Sequence, residues 1–381
     1  MKAISRDLRK REDSFFLLGP RGTGKSTWLK MNYPDAVVID LLKTDMASFL
    51  RANPSRLLGI VTGNPKASVF VIDEVQLIPE LLFEVHSLME KNPALQFILT
   101  GSSARKLKRT GTDLLGGRAL KLNMHPFTAH ELGESFSLED ALQYGLLPVV
   151  NAAKDRAARL SAYLGLYLRE EIQMEGLVRN LGPFTRFLEA ASFSHGGLLT
   201  SSDIARDCGV GRTTVDGYLK ILYDLMIASC VPVFSKRAKR ELVSHGKFYF
   251  FDAGVYRTLR PKGPLDRPAE IDGAALEGLV FQHLRAELDY RGEEGGLYFW
   301  RTVAGKEVDF IVYTGDRFDA IEVKNASTVS RSDLSALKSF RTDYPESRQI
   351  LLYRGELQYE EEGVLIVPVA KWLLGEERFL S

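Results

Sequence analysis

Residues Gly19-Pro-Arg-Gly-Thr-Gly24-Lys25-Ser26 follow the apolar run Phe15–Leu18 and precede a helix-forming stretch. This is the P-loop pattern in the only context where it works, a strand feeding a glycine-rich turn that opens a helix. Gly19, Gly22 and Gly24 let backbone N–H groups wrap phosphate oxygens, with Thr23 inside the turn. The helix that begins there adds the positive end of its dipole. Lys25 is expected to reach the β- and γ-phosphates and Ser26 to ligate Mg²⁺, with Thr27 completing the set. ATP and Mg²⁺ are therefore the expected cofactors. Such a start also commits the chain to an α/β class with a parallel sheet. The later strand candidates Ala36–Asp40, Val69–Ile72, Gln96–Thr100 and Ala119–Leu122 alternate with helical stretches, as βαβ units require.

A second element agrees with the first. Val69-Phe-Val-Ile72-Asp73-Glu74 is an apolar run ending in two carboxylates. Asp73 would hold Mg²⁺ through water, and Glu74 would polarise the attacking water as general base. Taken alone, the segment is a buried strand with acids at its mouth; its order after the P-loop gives it meaning. The next apolar run ends in Thr100-Gly101-Ser102-Ser103. Thr100 or Ser102 would contact the water or the γ-phosphate, and the sequence does not choose between them.

Leu99-Thr-Gly-Ser-Ser, Gly116-Gly-Arg118, Leu122-x-x-x-Pro126-Phe-x-x-x-Glu131 and Gly145-Leu-Leu-Pro148 carry a resemblance over nearly the whole chain. In these the chain is similar to bacterial and archaeal ATP-binding proteins with a DUF4143 domain. More broadly, with Glu74 as second acid and the strand ending at Thr100 following in order, it resembles the AAA+ ATPases of the additional-strand class. The resemblance implies an arginine finger near the last core strand, where Arg118 stands, and hence a homo-oligomer, a ring or hexamer or at least a dimer. A surface arginine beside a Gly-Gly turn is the plain alternative. Arg105, in the run Arg105-Lys106-x-Lys108-Arg109, is the second candidate.

From about Ala152 to Ile227 the pattern is helical, and Leu199–Leu219 reads as a helix-turn-helix with Gly209 at the turn. Arg212 and Thr213 decorate its second helix. Lys236, Arg237, Lys239 and Arg240 precede the strand-like Lys247–Phe251, the arrangement of a winged helix with a basic wing. These six residues are the candidate DNA contacts, to phosphates rather than to base edges. A protein-interaction or lid module is the other reading.

Arg260–Pro268, with three prolines and a glycine, reads as a linker. Beyond it, an amphipathic helix Ala274–Tyr290 carries Glu277, and strands at Leu297–Trp300, Glu307–Tyr313 and Ala320–Lys324 follow. Asp309 lies on one strand and Glu322-Val-Lys324 on the next, with Glu322 and Lys324 sharing a face. This order resembles the PD-(D/E)xK nuclease superfamily, restriction-endonuclease-like folds that include Holliday-junction resolvases. The resemblance implies that Asp309 and Glu322 hold Mg²⁺, that Lys324 positions the attacking water and that Glu277 orients a metal or its waters. His125, His130, His195 and His283 show no metal-ligand spacing.

The expected domains are 1–150 (AAA+ P-loop ATPase), 151–262 (helical and winged helix) and 263–381 (nuclease-like). Lysine plus arginine (50) nearly cancels aspartate plus glutamate (49), so any nucleic-acid surface is a local patch. Two cysteines build neither a disulfide framework nor a zinc cluster. No signal-peptide core or membrane-length apolar run occurs, which gives a cytoplasmic expectation with no membrane partner. The leading expectation is an Mg-dependent ATPase that binds DNA and cuts it, with branched or junction DNA favoured by analogy. Two alternatives stand: an ATP-gated regulatory or defence switch whose nuclease-like domain binds without cutting, and a DNA-binding ATPase that remodels a protein partner.

Overall fold

The structure, a computed structural model, describes residues 4–101, 114–168, 181–238, 240–264, 266–292 and 295–375. Compactness divides the chain into two units, Met1–His125 with Asp224–Ile227, and Pro126–Tyr223 with Ala228–Ser381.

The first unit is built on a five-stranded sheet in the order β2-β3-β4-β1-β5. Its strands are β1 (Phe15–Leu18), β2 (Val37–Asp40), β3 (Val69–Asp73), β4 (Gln96–Gly101) and β5 (Leu120–Asn123). Every pairing is parallel. Helices cover such a sheet, so its central strands read as unbroken apolar runs, and β1 is buried at all four residues. Helices α1 (Lys25–Asn32), α2 (Thr44–Ala52), α3 (Arg56–Thr62) and α4 (Leu81–Lys91) supply that cover. On one face Phe70 and Phe97 stack at 5.8 Å, and on the other Phe15, Trp28 and Tyr33 close at 5.8–6.3 Å. Each fully buried ring contributes roughly 1.5–3 kcal/mol. Because β4 lies between β1 and β3, the loop after β1 and the acids after β3 open at the same carboxyl edge with one strand between them.

The second unit holds two sheets. A small antiparallel one, order β6-β8-β7, comprises β6 (Gly197–Leu198), β7 (Ala228–Val231) and β8 (Lys247–Phe250). Beside it lie helices Leu181–Ser192, Ser201–Cys208 and Arg212–Asp224. Gly209 ends the second of these at φ 65°, a left-handed turn that suits glycine. Phe184 and Phe187 pack on Tyr218 of the third at 4.9 and 5.2 Å.

The larger sheet runs β13-β14-β12-β11-β10-β9. Its members are β9 (Gly295–Arg301), β10 (Glu307–Thr314), β11 (Phe318–Lys324), β12 (Arg348–Tyr353), β13 (Tyr359–Glu361) and β14 (Val364–Pro368). β9, β10 and β11 form an antiparallel meander, while β12 pairs parallel with β11 and with β14. The long helix Pro268–Arg291 precedes the meander, with Pro268 in its first turn. The proline-rich stretch before it is tied down: Asp266 pairs with Arg260 at 2.7 Å and accepts the Gly263 N–H at 2.7 Å. Phe234, downstream of β7, is buried among Tyr298, Tyr313, Phe318, Phe340 and Tyr344 of the larger sheet's core.

Asp252 caps helix Ala253–Leu259 by accepting the Val255 N–H at 3.0 Å and accepts the Leu146 N–H at 2.7 Å. Full burial pushes its carboxyl up to about 6, against the pull of the Leu146, Val255 and Gly254 N–H groups. Gly254 is obligatory here, since a Cβ would collide with the Tyr144 carbonyl.

Candidate functional site

In the loop after β1, Gly19, Gly22 and Gly24 take φ of 154°, 79° and 94°. A Cβ on Gly19 would strike the Met124 carbonyl. Gly24 stands at the N-cap of α1 in a left-handed conformation and brings no capping side chain of its own. Thr23 is buried and its hydroxyl donates to the Pro20 carbonyl at 2.7 Å, a bond that shapes the loop. Lys25 Nζ donates to the Gly19 and Pro20 carbonyls at 2.6 and 3.2 Å. Ser26 and Thr27 are exposed on the first turn of α1. Arg6 braces the loop from behind, donating to the Thr23 and His125 carbonyls at 2.7 Å each. No motif marks that residue.

At the end of β3, the Thr100 hydroxyl donates to the Asp73 carboxylate and accepts the Glu74 N–H at 3.2 Å. Thr100 is fully buried at the end of β4, so this clamp is fixed by the sheet. Glu74 sits at φ 60°, ψ 46°, a left-handed conformation uncommon outside glycine, and its carboxylate accepts from Gln76 Nε2. Of the two hydroxyls the sequence offered, Thr100 stands beside the acids; Ser102 lies outside the described residues, as do Arg105, Lys106, Lys108 and Arg109. Arg118 pairs with Glu90 at 3.1 Å and contacts His86, both on α4, and stays about half exposed.

In the second unit, Glu277, Asp309, Glu322 and Lys324 converge. Asp309 Oδ2 accepts the Val323 N–H at 2.9 Å, and Lys324 pairs with Glu322 at 2.7 Å. Two residues outside the expected set join them. Lys247, first residue of β8 and 1% exposed, places Nζ 2.7 Å from Glu277, 2.7 Å from Glu307 and 3.1 Å from Asp309. Tyr249 donates its hydroxyl to Glu277 at 2.5 Å. Burial works against the Lys247 charge, yet Glu277, Tyr249, Asp309 and Glu307 hold it well above the ordinary lysine range. Burial and then Asp309 raise Glu322, with Lys324 opposing. Among the described residues no group of three or more His, Cys, Asp or Glu is arranged to hold a metal ion.

Family models assign these pieces. One described as an AAA domain matches residues 11–133, and a domain of unknown function, DUF4143, matches residues 272–372. Between them another domain of unknown function, DUF8612, matches residues 135–266. In order along the chain, these matches are an AAA domain, then DUF8612, then DUF4143. Uncharacterised proteins of Mycobacterium bovis and Mycobacterium tuberculosis are each 29% identical over 364 residues, spanning 92% of this chain and 79% of theirs. Among solved structures, AMPPCP-bound DnaA from Aquifex aeolicus covers 55% of this chain and 82% of its own at 14% identity and a TM-score of 0.27. Domain III of DnaA from Thermotoga maritima covers 43% and 78% at 18% identity and a TM-score of 0.25.

Past the AAA domain, the candidate DNA contacts separate. Arg212 and Thr213 are exposed on their helix, Arg212 at 3.9 Å from Asp216. Lys236 lies 4.2 Å over the Tyr313 ring, and Arg237 is exposed at φ 52°. Arg240 is exposed but engaged, pairing with Asp343 at 2.8 Å and donating to Ser339 at 2.7 Å, which anchors the basic stretch on the DUF4143 segment. Lys239 is outside the described residues. His195 accepts the Phe250 N–H at 3.0 Å and His283 the Ala129 N–H at 2.8 Å, both buried structural contacts. Among the described residues no helix is long and apolar enough to cross a membrane.

Proposed function

We propose that the chain is a magnesium-dependent ATP hydrolase whose second unit engages DNA without cutting it. The observation that carries the first half is the Thr100 clamp on Asp73 and Glu74, one strand away from the P-loop. Strands about 4.8 Å apart put β1 and β3 roughly 10 Å from each other, room for a γ-phosphate and a water between Lys25 and Glu74. The N–H groups of the loop and α1 bind the phosphates, and Lys25 exchanges loop carbonyls for phosphate oxygens. Gln76 holds the Glu74 carboxylate in place to take a proton from the attacking water. The Ser26 hydroxyl and the Asp73 carboxylate are oxygen donors that suit a hard cation. Mg²⁺ bound there would neutralise charge developing on the phosphates.

For the second half, the support is the exposed pair Arg212 and Thr213 on a helix-turn-helix, together with exposed Lys236 and Arg237. Cleavage would need a divalent ion at Asp309 and Glu322, and that donor set does not fit one, because the Lys247 ammonium already engages Asp309 and its neighbours. The reading is therefore of an ATP-gated switch rather than a nuclease, with Arg118 acting across a subunit boundary in a homo-oligomer.

Phosphate release and nucleotide binding test the first half: Lys25→Ala is expected to lose both, and Glu74→Gln to keep binding. Normal turnover in Glu74→Gln would refute its role as base. Labelled linear, forked and four-way-junction DNA with Mg²⁺ tests the second. Intact DNA with salt-sensitive, DNA-stimulated ATP turnover is expected, weakened in Arg212→Ala/Arg237→Ala. Cleavage lost in Asp309→Ala would restore the nuclease; no response to DNA would leave a protein partner.

A further inference from the structure

Four carboxyl groups, from Glu277, Glu307, Asp309 and Glu322, meet beneath the surface of the DUF4143 segment. Like charges so close and largely shielded from water need a cation or a proton among them. Lys247 supplies the cation. An ammonium has three N–H bonds, and three carboxylates stand within 3.1 Å of Nζ, so every donor has an acceptor. The lysine belongs to neither the helix nor the meander that supplies the acids; it arrives on β8, in the small sheet. Asp309 has both oxygens engaged, Oδ1 by Lys247 and Oδ2 by the Val323 N–H. Glu322 Oε1 is held by Lys324, while its buried Oε2 finds no hydrogen-bond partner among the described residues. That leaves one buried oxygen without a hydrogen bond in a cluster that already holds a positive charge. Carboxylate oxygens bind Mg²⁺ or Mn²⁺ at about 2.0–2.2 Å, and an ion at Asp309 would lie within a few ångströms of the ammonium.

We propose that Lys247 is the resident cation of this cluster, standing where a divalent ion would, closing the site to metal and fastening β8 to helix Pro268–Arg291 and β10. This deepens the non-cutting reading above and rests on it. The acids are kept for the fastening; the metal chemistry is displaced by a side chain from another element.

The test uses the full-length chain without nucleotide and Mn²⁺ as the probe, followed by electron paramagnetic resonance and calorimetry. Wild type is expected to show no Asp309-dependent Mn²⁺ binding. Lys247→Ala is expected to gain one Mn²⁺ per chain, at least tenfold tighter than any site in wild type, and to lose it again in Lys247→Ala/Asp309→Asn. Should Lys247→Ala fold poorly, recovery of its thermal transition by Mn²⁺ reads the same gain, and Lys247→Arg, which keeps a cation, is expected to gain none. In wild type, acetylation by a water-soluble reagent should modify Lys247 at least tenfold more slowly than Lys236, with or without Mg²⁺. Asp309-dependent Mn²⁺ binding by wild type, or rapid acetylation of Lys247, overturns the proposal. If DNA is then also cut, the non-cutting reading falls with it. If folded Lys247→Ala takes up no Mn²⁺, the lysine does not stand in for metal, while the non-cutting reading survives.

Discussion

Two groups of carboxylates cluster in this molecule, and they are held in opposite ways. After β3, Asp73 is engaged by the Thr100 hydroxyl and Glu74 by the Gln76 amide, and both acids are only partly buried. On β10 and the long helix, Glu277, Glu307 and Asp309 are engaged by a fully buried ammonium. A neutral donor orients a carboxylate and leaves its charge to act on an arriving cation or water. A fixed ammonium cancels that charge and turns the acid into a structural anchor. On the proposed reading, the same residue type is reactive in one place and spent in the other.

That contrast predicts opposite readouts. Asp73→Asn and Glu74→Gln should lower ATP turnover by roughly 10²–10⁴-fold, with urea unfolding shifted by less than about 1 kcal/mol. Lys247→Ala should do the reverse, costing about 3–5 kcal/mol by stranding buried carboxylates, while turnover measured well below the melting transition stays within about twofold. A Lys247→Ala chain as stable as wild type would break the comparison outright. Asp252 sharpens it from a third side, as a buried acid held by backbone N–H groups alone. Its pKa is raised from 3.8 to about 6, so its contribution is fully present below pH 3.8 and lost as pH rises through 6. The difference amounts to about 3 kcal/mol. Chemical denaturation across pH 3.5–7 should show that slope in wild type and a flatter one in Asp252→Asn. The smallest effect on stability is expected at Arg118. Its exposed pair with Glu90 is worth under about 1 kcal/mol, so a larger loss of turnover in Arg118→Ala would assign it to catalysis. Partial recovery on mixing Arg118→Ala with Glu74→Gln chains would show that it acts across subunits.

Much of the first unit was legible because its signals are local. A P-loop must follow a strand and a central parallel strand must be apolar through its middle, and β1, β3 and β4 fall within a residue of the runs so read. The choice of Thr100 was not legible, since it depends on which strand end faces Asp73 and Glu74. The order of Glu277, Asp309, Glu322 and Lys324 could be read from spacing, but what lies among them could not. Lys247 begins the aromatic strand Lys247-Phe-Tyr-Phe and reads as a solvent-facing strand end. Only a contact 62 residues away in sequence reveals its burial against Asp309. Phe234 and Arg240 were hidden for the same reason, being claimed by a core and an acid far along the chain.

The left-handed turn at Glu74 sets two selective pressures against each other at one position. Holding a side chain at φ 60° costs on the order of 1 kcal/mol, and glycine would relieve it. Glu74→Gly should therefore yield a chain that is harder to melt and unable to activate water. Variants recovered from a screen for heat resistance alone would drift toward that substitution, and the proposed ATP hydrolysis would be lost without any sign of damage to the fold.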